Sequence, residues 1–326
     1  MRSEAKTSPP SFLANFECPI RARFYPLGFP LDVETNSEEV ILAAKQGWGR
    51  FTQRFEETPV RLCLGVSEHE AEMRYTSEPQ TVSQEHLITS LWDQFTFVVC
   101  DMRSGFAFGR LTRKAAADHP FLRYRFLQGS AMKMLVHRFL APVHGAFIAR
   151  NGVGILLCGD SFAGKSTLAY ACARAGWTYL TDDGTFLVRA RTDRYAVANP
   201  YYTHLREDAP SLFPELKGHT LAVRPNGKIG IEVSTSALAM TTAEACSIEH
   251  VVFLNRSAGA RAHLVSHSKE AAMEWCEQYI CYGEAAVRAE QRQTLHRLLG
   301  AGLWEMRYSG LAEAVACLEN LTNKRD

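Results

Sequence analysis

Residues Gly159–Ser166 spell GDSFAGKS, and Thr167 follows. The spacing G-x-x-x-x-G-K-[ST] has one mechanical use. Backbone N–H groups of such a loop converge on a phosphate, and the helix that opens at its end adds the positive end of its dipole. Gly159 and Gly164 admit backbone conformations that a side chain forbids. Lys165 then reaches the β- and γ-phosphates, and the Ser166 hydroxyl ligates Mg2+. Asp160, Ser161, Phe162, Ala163 and Thr167 complete the cradle. The motif follows the apolar run Val153–Cys158 and precedes a segment with apolar Leu168, Ala171 and Cys172, the strand and helix its mechanics require. ATP with Mg2+ is the expected ligand, and Lys165 the expected catalytic cation.

Three further residues stand at suggestive distances. His144 lies twenty-one positions before Lys165, and Asp182 and Asp183 lie seventeen and eighteen after it. Phosphoryl transfer asks for positioning and charge neutralisation more than covalent chemistry, and a carboxylate must orient the attacking hydroxyl. An acid that ends a strand beside the phosphate loop points into the crevice where α/β ligands sit. Histidine beside a carboxylate can share or withdraw a proton near neutral pH. Asp183-Gly184 is also a hairpin dipeptide. Successive strand residues face opposite ways, so both acids enter one site only if the strand ends there.

The run VHGAFIARNGVGILLCGDSFAGKSTLAYACARAGWTYLTDD, residues 143–183, resembles the catalytic domain of HPr kinase/phosphorylase and its relatives. The likeness extends weakly into the C-terminal strand and helices and stops short of the first 110 or so residues. It implies phosphoryl transfer from ATP to a serine-like hydroxyl. Lys165 and Ser166 would hold phosphates and metal, Asp182 would act as general base, His144 would lie beside Asp182 and tune it, and Asp183 would hold Mg2+. It also leaves room for a homo-oligomer. Thr167 stands where that family commonly carries glutamate, Phe162 replaces a small loop residue, and the family's glutamate-arginine-glycine segment is missing. Arg224 and Lys228 are loose candidates for its basic role. The acceptor therefore stays open: a protein, a peptide or a small molecule.

These residues need a scaffold. Asn151-Gly152 between two apolar runs predicts a hairpin whose central residues both take positive φ. Gly176 marks the end of the helix after the loop, and strands are expected at Trp177–Thr181, Phe186–Ala190, Tyr195–Ala198 and Ile248–Leu254. Asn226-Gly227 predicts a second hairpin. Helices over 268–282, 285–299 and 311–321 bracket a strand at 303–308. Tyr201, Tyr202, His204 and Arg206 could line a pocket or simply pack. Upstream, short apolar-aromatic runs predict strands at Val60–Val66 and Phe95–Cys100, a helix near Ser37–Gln46, and one bridging helix over 118–140. The order predicts an α/β fold. A P-loop kinase domain with a mixed sheet flanked by helices spans 141–326, a smaller mixed, strand-rich N-terminal domain 18–140, and a loose tail 1–17.

Bulk composition narrows the classes. Of 326 residues 36 are basic and 35 acidic, a net charge of +1, so no broad field draws the chain to nucleic acid or an anionic membrane. The nine cysteines show no CxxC spacing, and several sit in apolar runs, as buried thiols of a reducing compartment do. The polar first eleven residues carry no secretory h-region, and no apolar run approaches a membrane span. A cytoplasmic enzyme with no nucleic-acid or membrane partner is expected. The alternative is an ATP-binding regulatory protein with little or no phosphotransfer.

Overall fold

Strands of this chain are shared among three sheets, and their burial patterns tell which faces are covered. The computed structural model describes residues 17–67, 78–223, 229–280 and 283–323. The expected tail, apart from Glu17, lies outside these residues, as do Arg224, the Asn226-Gly227 turn, Lys228 and Cys281. The first sheet holds β1 (Ile20–Phe24), β2 (Leu31–Thr35), β3 (Val60–Ser67), β4 (Gln80–Gln84), β5 (Leu87–Leu91), β6 (Phe97–Asp101) and β7 (Phe106–Thr112), in the order β1-β2-β3-β7-β6-β5-β4. Alternation along β2 buries Leu31 and Val33 on one face and leaves Asp32 and Glu34 on the other. Against the apolar face pack α1 (Glu38–Trp48), short α2 (Arg113–Ala117), a π-helical stretch (Phe121–Gln128) and α3 (Gly129–Arg138).

The expected single helix over 118–140 is met by an uninterrupted helical run over 119–138 whose register changes within it. Asp118 leaves helical backbone at ψ 83° and ends α2, Pro120 falls in the first turn of the next run, where its missing N–H is tolerated, and the eight residues after it wind in the π register. Phe121 and Phe126 lie five residues apart, as do Leu122 and Leu127, and all four are buried.

After α3 the chain builds a larger sheet from β8 (Leu140–His144), β9 (Ala146–Arg150), β10 (Val153–Cys158), β11 (Thr178–Thr181), β12 (Gly184–Val188) and β13 (Tyr195–Ala198), with α4 (Lys165–Arg174) between β10 and β11. A three-stranded sheet follows, β14 (Tyr202–Arg206), β15 (Leu221–Val223) and β16 (Ile229–Ser234), with short α5 (Ala209–Leu212) after β14. Within it His204 stands directly opposite Glu232. The chain then returns to the larger sheet with β17 (Ala245–Arg256) and β18 (His263–Ser266), passes through α6 (Lys269–Glu277) and α7 (Ala285–His296), and ends with β19 (Gly302–Tyr308) and α8 (Leu311–Asn323).

The nine-stranded sheet centres on β17, whose length lets it pair with β13 at Ala245–Ser247 and, further on, with β10 and β19 on its two edges. Both of those pairings are parallel, so β10, β17 and β19 end at one edge. Successive residues of β10 feed opposite cores. Ile155 and Leu157 meet α4 and α8, while Leu156 and Cys158 meet α6 and α7. Burial on both faces explains why VGILLC is apolar throughout instead of alternating. The Asn151-Gly152 turn takes φ of 52° and 77°, as the dipeptide predicts.

One ladder positions the site. β9 pairs antiparallel with β11, and β8 pairs antiparallel with β12, so two consecutive strands run beside two others. Both chains switch partners at the same level, one at Gly145 and the other at Asp182-Asp183. Across that break Gly145 N–H donates to the Asp183 carbonyl over 2.8 Å, and His144 is opposite Gly184. Among the described residues no helix is long and apolar enough to cross a membrane.

Gly154 interrupts β10 because the strand approaches β17 too closely for a side chain. A Cβ there would stand 2.2 Å from the Ser247 carbonyl oxygen. Gly154→Ala is expected to cost about 1–3 kcal/mol, towards the upper end because the obstacle is backbone. Urea unfolding measures it; an unchanged midpoint would show that the strands are not so close.

Candidate functional site

The loop between β10 and α4 takes positive φ at two glycines and at one aromatic residue. Gly159 and Gly164 take φ of 140° and 96°, and Phe162 takes 74°. Gly164 has a second reason to lack a side chain: a Cβ would stand 2.5 Å from the Tyr308 hydroxyl. That hydroxyl donates to the Ala163 carbonyl over 2.9 Å, tying the loop to the end of β19. Lys165 is 8% exposed, and its ammonium donates to the carbonyls of Gly159 (2.6 Å) and Asp160 (3.1 Å). The cation is thus held inside the curve of the loop. Phe162 is 73% exposed at the tip, with the Arg206 guanidinium 4.5 Å from its ring centre.

Beside the loop the Asp182-Asp183 corner splits its two carboxyl groups, as alternation along a strand requires. Asp182 points inward and is 3% exposed. It accepts from the Tyr179 hydroxyl (2.9 Å) and from the backbone N–H of His204 (3.3 Å), and the His204 Nδ1 lies 3.4 Å away. Asp183 points outward, its side chain 69% exposed. The resemblance set His144 beside Asp182. The structure instead puts His144 Nδ1 2.9 Å from the Asp183 carboxyl, because His144 is the cross-strand neighbour of that end of the corner. Asp183 sits in a cleft crowded by protein but open to water. The crowding works to raise its pKa, yet the His144 imidazole, with His204 and Lys165 further off, holds it below the usual carboxylate range. Ser166 donates to the main-chain carbonyl of Asp182 over 3.4 Å, so the loop hydroxyl and the acidic corner are adjacent.

Sequence reading missed the support behind Asp182. His204 Nε2 lies 3.2 Å from Glu232, and Glu232 accepts from both Arg123 and Tyr124 of the π-helical stretch. Burial by itself would depress the imidazole pKa, but Asp182 and Glu232 on its two sides carry it to about 9. Burial likewise opposes the Glu232 charge, and His204, Tyr124 and Arg123 overcome it, drawing its pKa down to about 2. The one available signal was alternation: Tyr202, His204 and Arg206 share a face of β14. Nothing in sequence pairs His204 with a glutamate twenty-eight residues on. Tyr201 turns away from the loop, its hydroxyl within hydrogen-bond reach of the Arg50 carbonyl and of Glu244, and the Tyr202 hydroxyl reaches the Gln46 carbonyl. Tyr279, just after α6, also went unread; its ring centre lies 5.3 Å from that of His144.

A histidine whose pKa rises on folding, from about 6.5 to about 9, lends stability that is complete below pH 6.5. That stability is lost as the pH climbs through 9. With the side chain about a quarter exposed, the contribution is of order 2–3 kcal/mol. Stability of the wild type is expected to fall by about that much more than that of His204→Gln between pH 6.5 and 9. An equal fall in unfolding free energy in the two proteins, measured by urea at both ends of the range, would mean that folding does not raise the His204 pKa.

No family model matches the chain, and no curated protein matches it by sequence. Among solved structures, the HPr(Ser) kinase/phosphatase from Coxiella burnetii aligns with 56% of this chain and 97% of its own, at 13% identity and a TM-score of 0.31.

Proposed function

We propose that this chain is a kinase: it transfers the γ-phosphoryl group of Mg·ATP to a hydroxyl of a protein, peptide or small-molecule acceptor. The observation that carries the reading is the contact between two devices. A phosphate-cradle backbone with Lys165 at its centre touches, through Ser166, a corner that presents an open carboxylate already paired with histidine.

The roles follow from exposure. Sequence resemblance assigns the base to Asp182, but that carboxyl is sealed by Tyr179 and His204. Asp183 is the acid an incoming hydroxyl can reach. It accepts the acceptor's proton as the new O–P bond forms and the bond from the γ-phosphorus to ADP breaks. His144 holds Asp183 in orientation through the Nδ1 contact. Lys165 neutralises charge on the β- and γ-phosphates. Mg2+, when bound, spreads positive charge over the phosphate oxygens. The Ser166 hydroxyl would hold it, together with water and the phosphates, and this all-oxygen surround suits a hard cation. Arg206, above Phe162, places a further positive group at the loop's open side.

Transfer of label from γ-labelled ATP into an extract of the source cells, at saturating Mg2+, tests the assignment. Asp183→Asn is expected to cut transfer by about 100-fold or more while ATP affinity stays near wild type. Lys165→Ala should weaken Mg·ATP binding itself. Asp182→Asn should act mainly on folding, at about 3 kcal/mol or more for a broken buried charge network. If the folded Asp182→Asn protein binds ATP and transfers nothing while Asp183→Asn is active, the base is Asp182. Tight binding with no transfer to any acceptor would favour the regulatory alternative.

A further inference from the structure

Two cysteines of the first sheet meet on its outer face. Cys18, just ahead of β1, and Cys63, within β3, are 45 residues apart in sequence, and their sulfur atoms lie 3.5 Å apart. Strand alternation sets Cys63 on the face turned away from the helices. Its neighbours Leu62 and Leu64 are fully buried in the helix-covered core, while Cys63 is half-buried and flanked across the ladder by Glu34 and Phe108. The Cys18 sulfur is also 3.9 Å from the Leu64 carbonyl. Other thiols sit differently: Cys100, Cys158, Cys172 and Cys276 are buried, and Cys246 and Cys317 lie half-buried on β17 and α8.

Two thiols at 3.5 Å are in van der Waals contact. A bond between them needs about 2.05 Å, so one sulfur must move by about 1.5 Å. Cys63 is held by the ladders to β2 and β7. Cys18 precedes the first pair of the β1 ladder, Ile20 with Thr35, and is the partner that can move. Burial, then the adjoining Cys63 and the Glu34 carboxylate, pushes the Cys18 thiol up to about 12. The thiolate is the nucleophile in disulfide exchange. At neutral pH Cys18 is therefore the slow partner, and the first attack falls to Cys63.

We propose that Cys18 and Cys63 form a reversible disulfide by exchange with a small disulfide of the glutathione type, and that the bond locks the start of β1 to β3. The Cys63 thiolate attacks one sulfur of the small disulfide, a new S–S bond forms, and the first small thiolate leaves. Cys18 then gives up its proton and attacks the Cys63 sulfur of that mixed disulfide, expelling the second small thiolate. The two cysteines are oxidised, the small disulfide is reduced to two thiols, and the two protons released end on those thiols. With Cys63 in the mixed disulfide, its thiol no longer helps to hold the Cys18 proton. The finished bond closes a long loop in the unfolded chain, which is the source of its stabilisation.

The full chain, reduced and then incubated with oxidised glutathione at mildly alkaline pH, is alkylated and digested without reduction, and mass spectrometry maps every thiol. The expected product is a pair of peptides joined through Cys18 and Cys63 and separated again by dithiothreitol. The apparent melting temperature of the oxidised chain should rise by about 5 °C or more. Cys18→Ser should leave Cys63 as a mixed disulfide with glutathione and show no such rise. In Cys63→Ser, Cys18 should take up glutathione about tenfold or more slowly than Cys63 does in Cys18→Ser. Recovery of Cys18 and Cys63 from the wild type on separate peptides, alkylated or carrying glutathione, would overturn the proposal. A joined pair that leaves the melting temperature unmoved would overturn the lock.

Discussion

A partly buried imidazole between two carboxyl groups is the constraint on which the acidic corner depends. Asp182 cannot lie at 3% exposure without partners, because an unpaired buried carboxylate costs several kcal/mol. His204 supplies one cation and Arg123 a second, so with Glu232 the cluster holds two acids and two bases. Each group comes from a different element: the β11–β12 corner, β14, β16 and the π-helical stretch. The corner is in place only when all four are. Asp183 is the next residue and Ser166 leans on the Asp182 carbonyl, so the cluster also sets the groups that face solvent.

The same cluster explains what the strand-rich N-terminal half contributes. Its π-helical stretch carries Arg123 and Tyr124 to Glu232, and the segment after α1 brings Arg54 to Glu244, 2.8 Å away. Valines 188 and 197 of the larger sheet sit in the first sheet's apolar core. The two halves therefore share both apolar and charged contacts. A π register is a less stable helix than the α form and persists where something pays for it. Here it serves two ends at once, turning four apolar residues inward and pointing Arg123 and Tyr124 at the second half.

Much of the scaffold was legible because local rules decide it. The Asn151-Gly152 turn, the apolar β10, the glycine-bounded loop before α4 and Gly176 at the end of that helix each announce themselves within a dozen residues. The 118–140 stretch is helical as its apolar spacing suggests, while the π register inside it has no separate local signal. At the site, residues close in sequence to the loop could be named, while partners brought in by sheet register could not. His204 meets Glu232 through antiparallel pairing, and His144 meets Asp183 through a ladder that changes strands at Gly145. Exposure separates the two aspartates, and exposure is a property of the finished fold.

Phe162 is the local rule that fails most plainly. A non-glycine residue at φ 74° costs on the order of 1–2 kcal/mol, and this one also leaves an aromatic ring 73% exposed. Strain of that kind persists where surrounding structure imposes it. The loop is pinned on one flank by the Tyr308 hydroxyl at Ala163 and on the other by Lys165 at Gly159, so residue 162 must close the gap whatever its side chain. The ring then serves as a platform for Arg206. The Asp183–His144 pair stands where β9 meets β11 and β8 meets β12, and Arg256 and Tyr308 stand at the paired ends of β17 and β19.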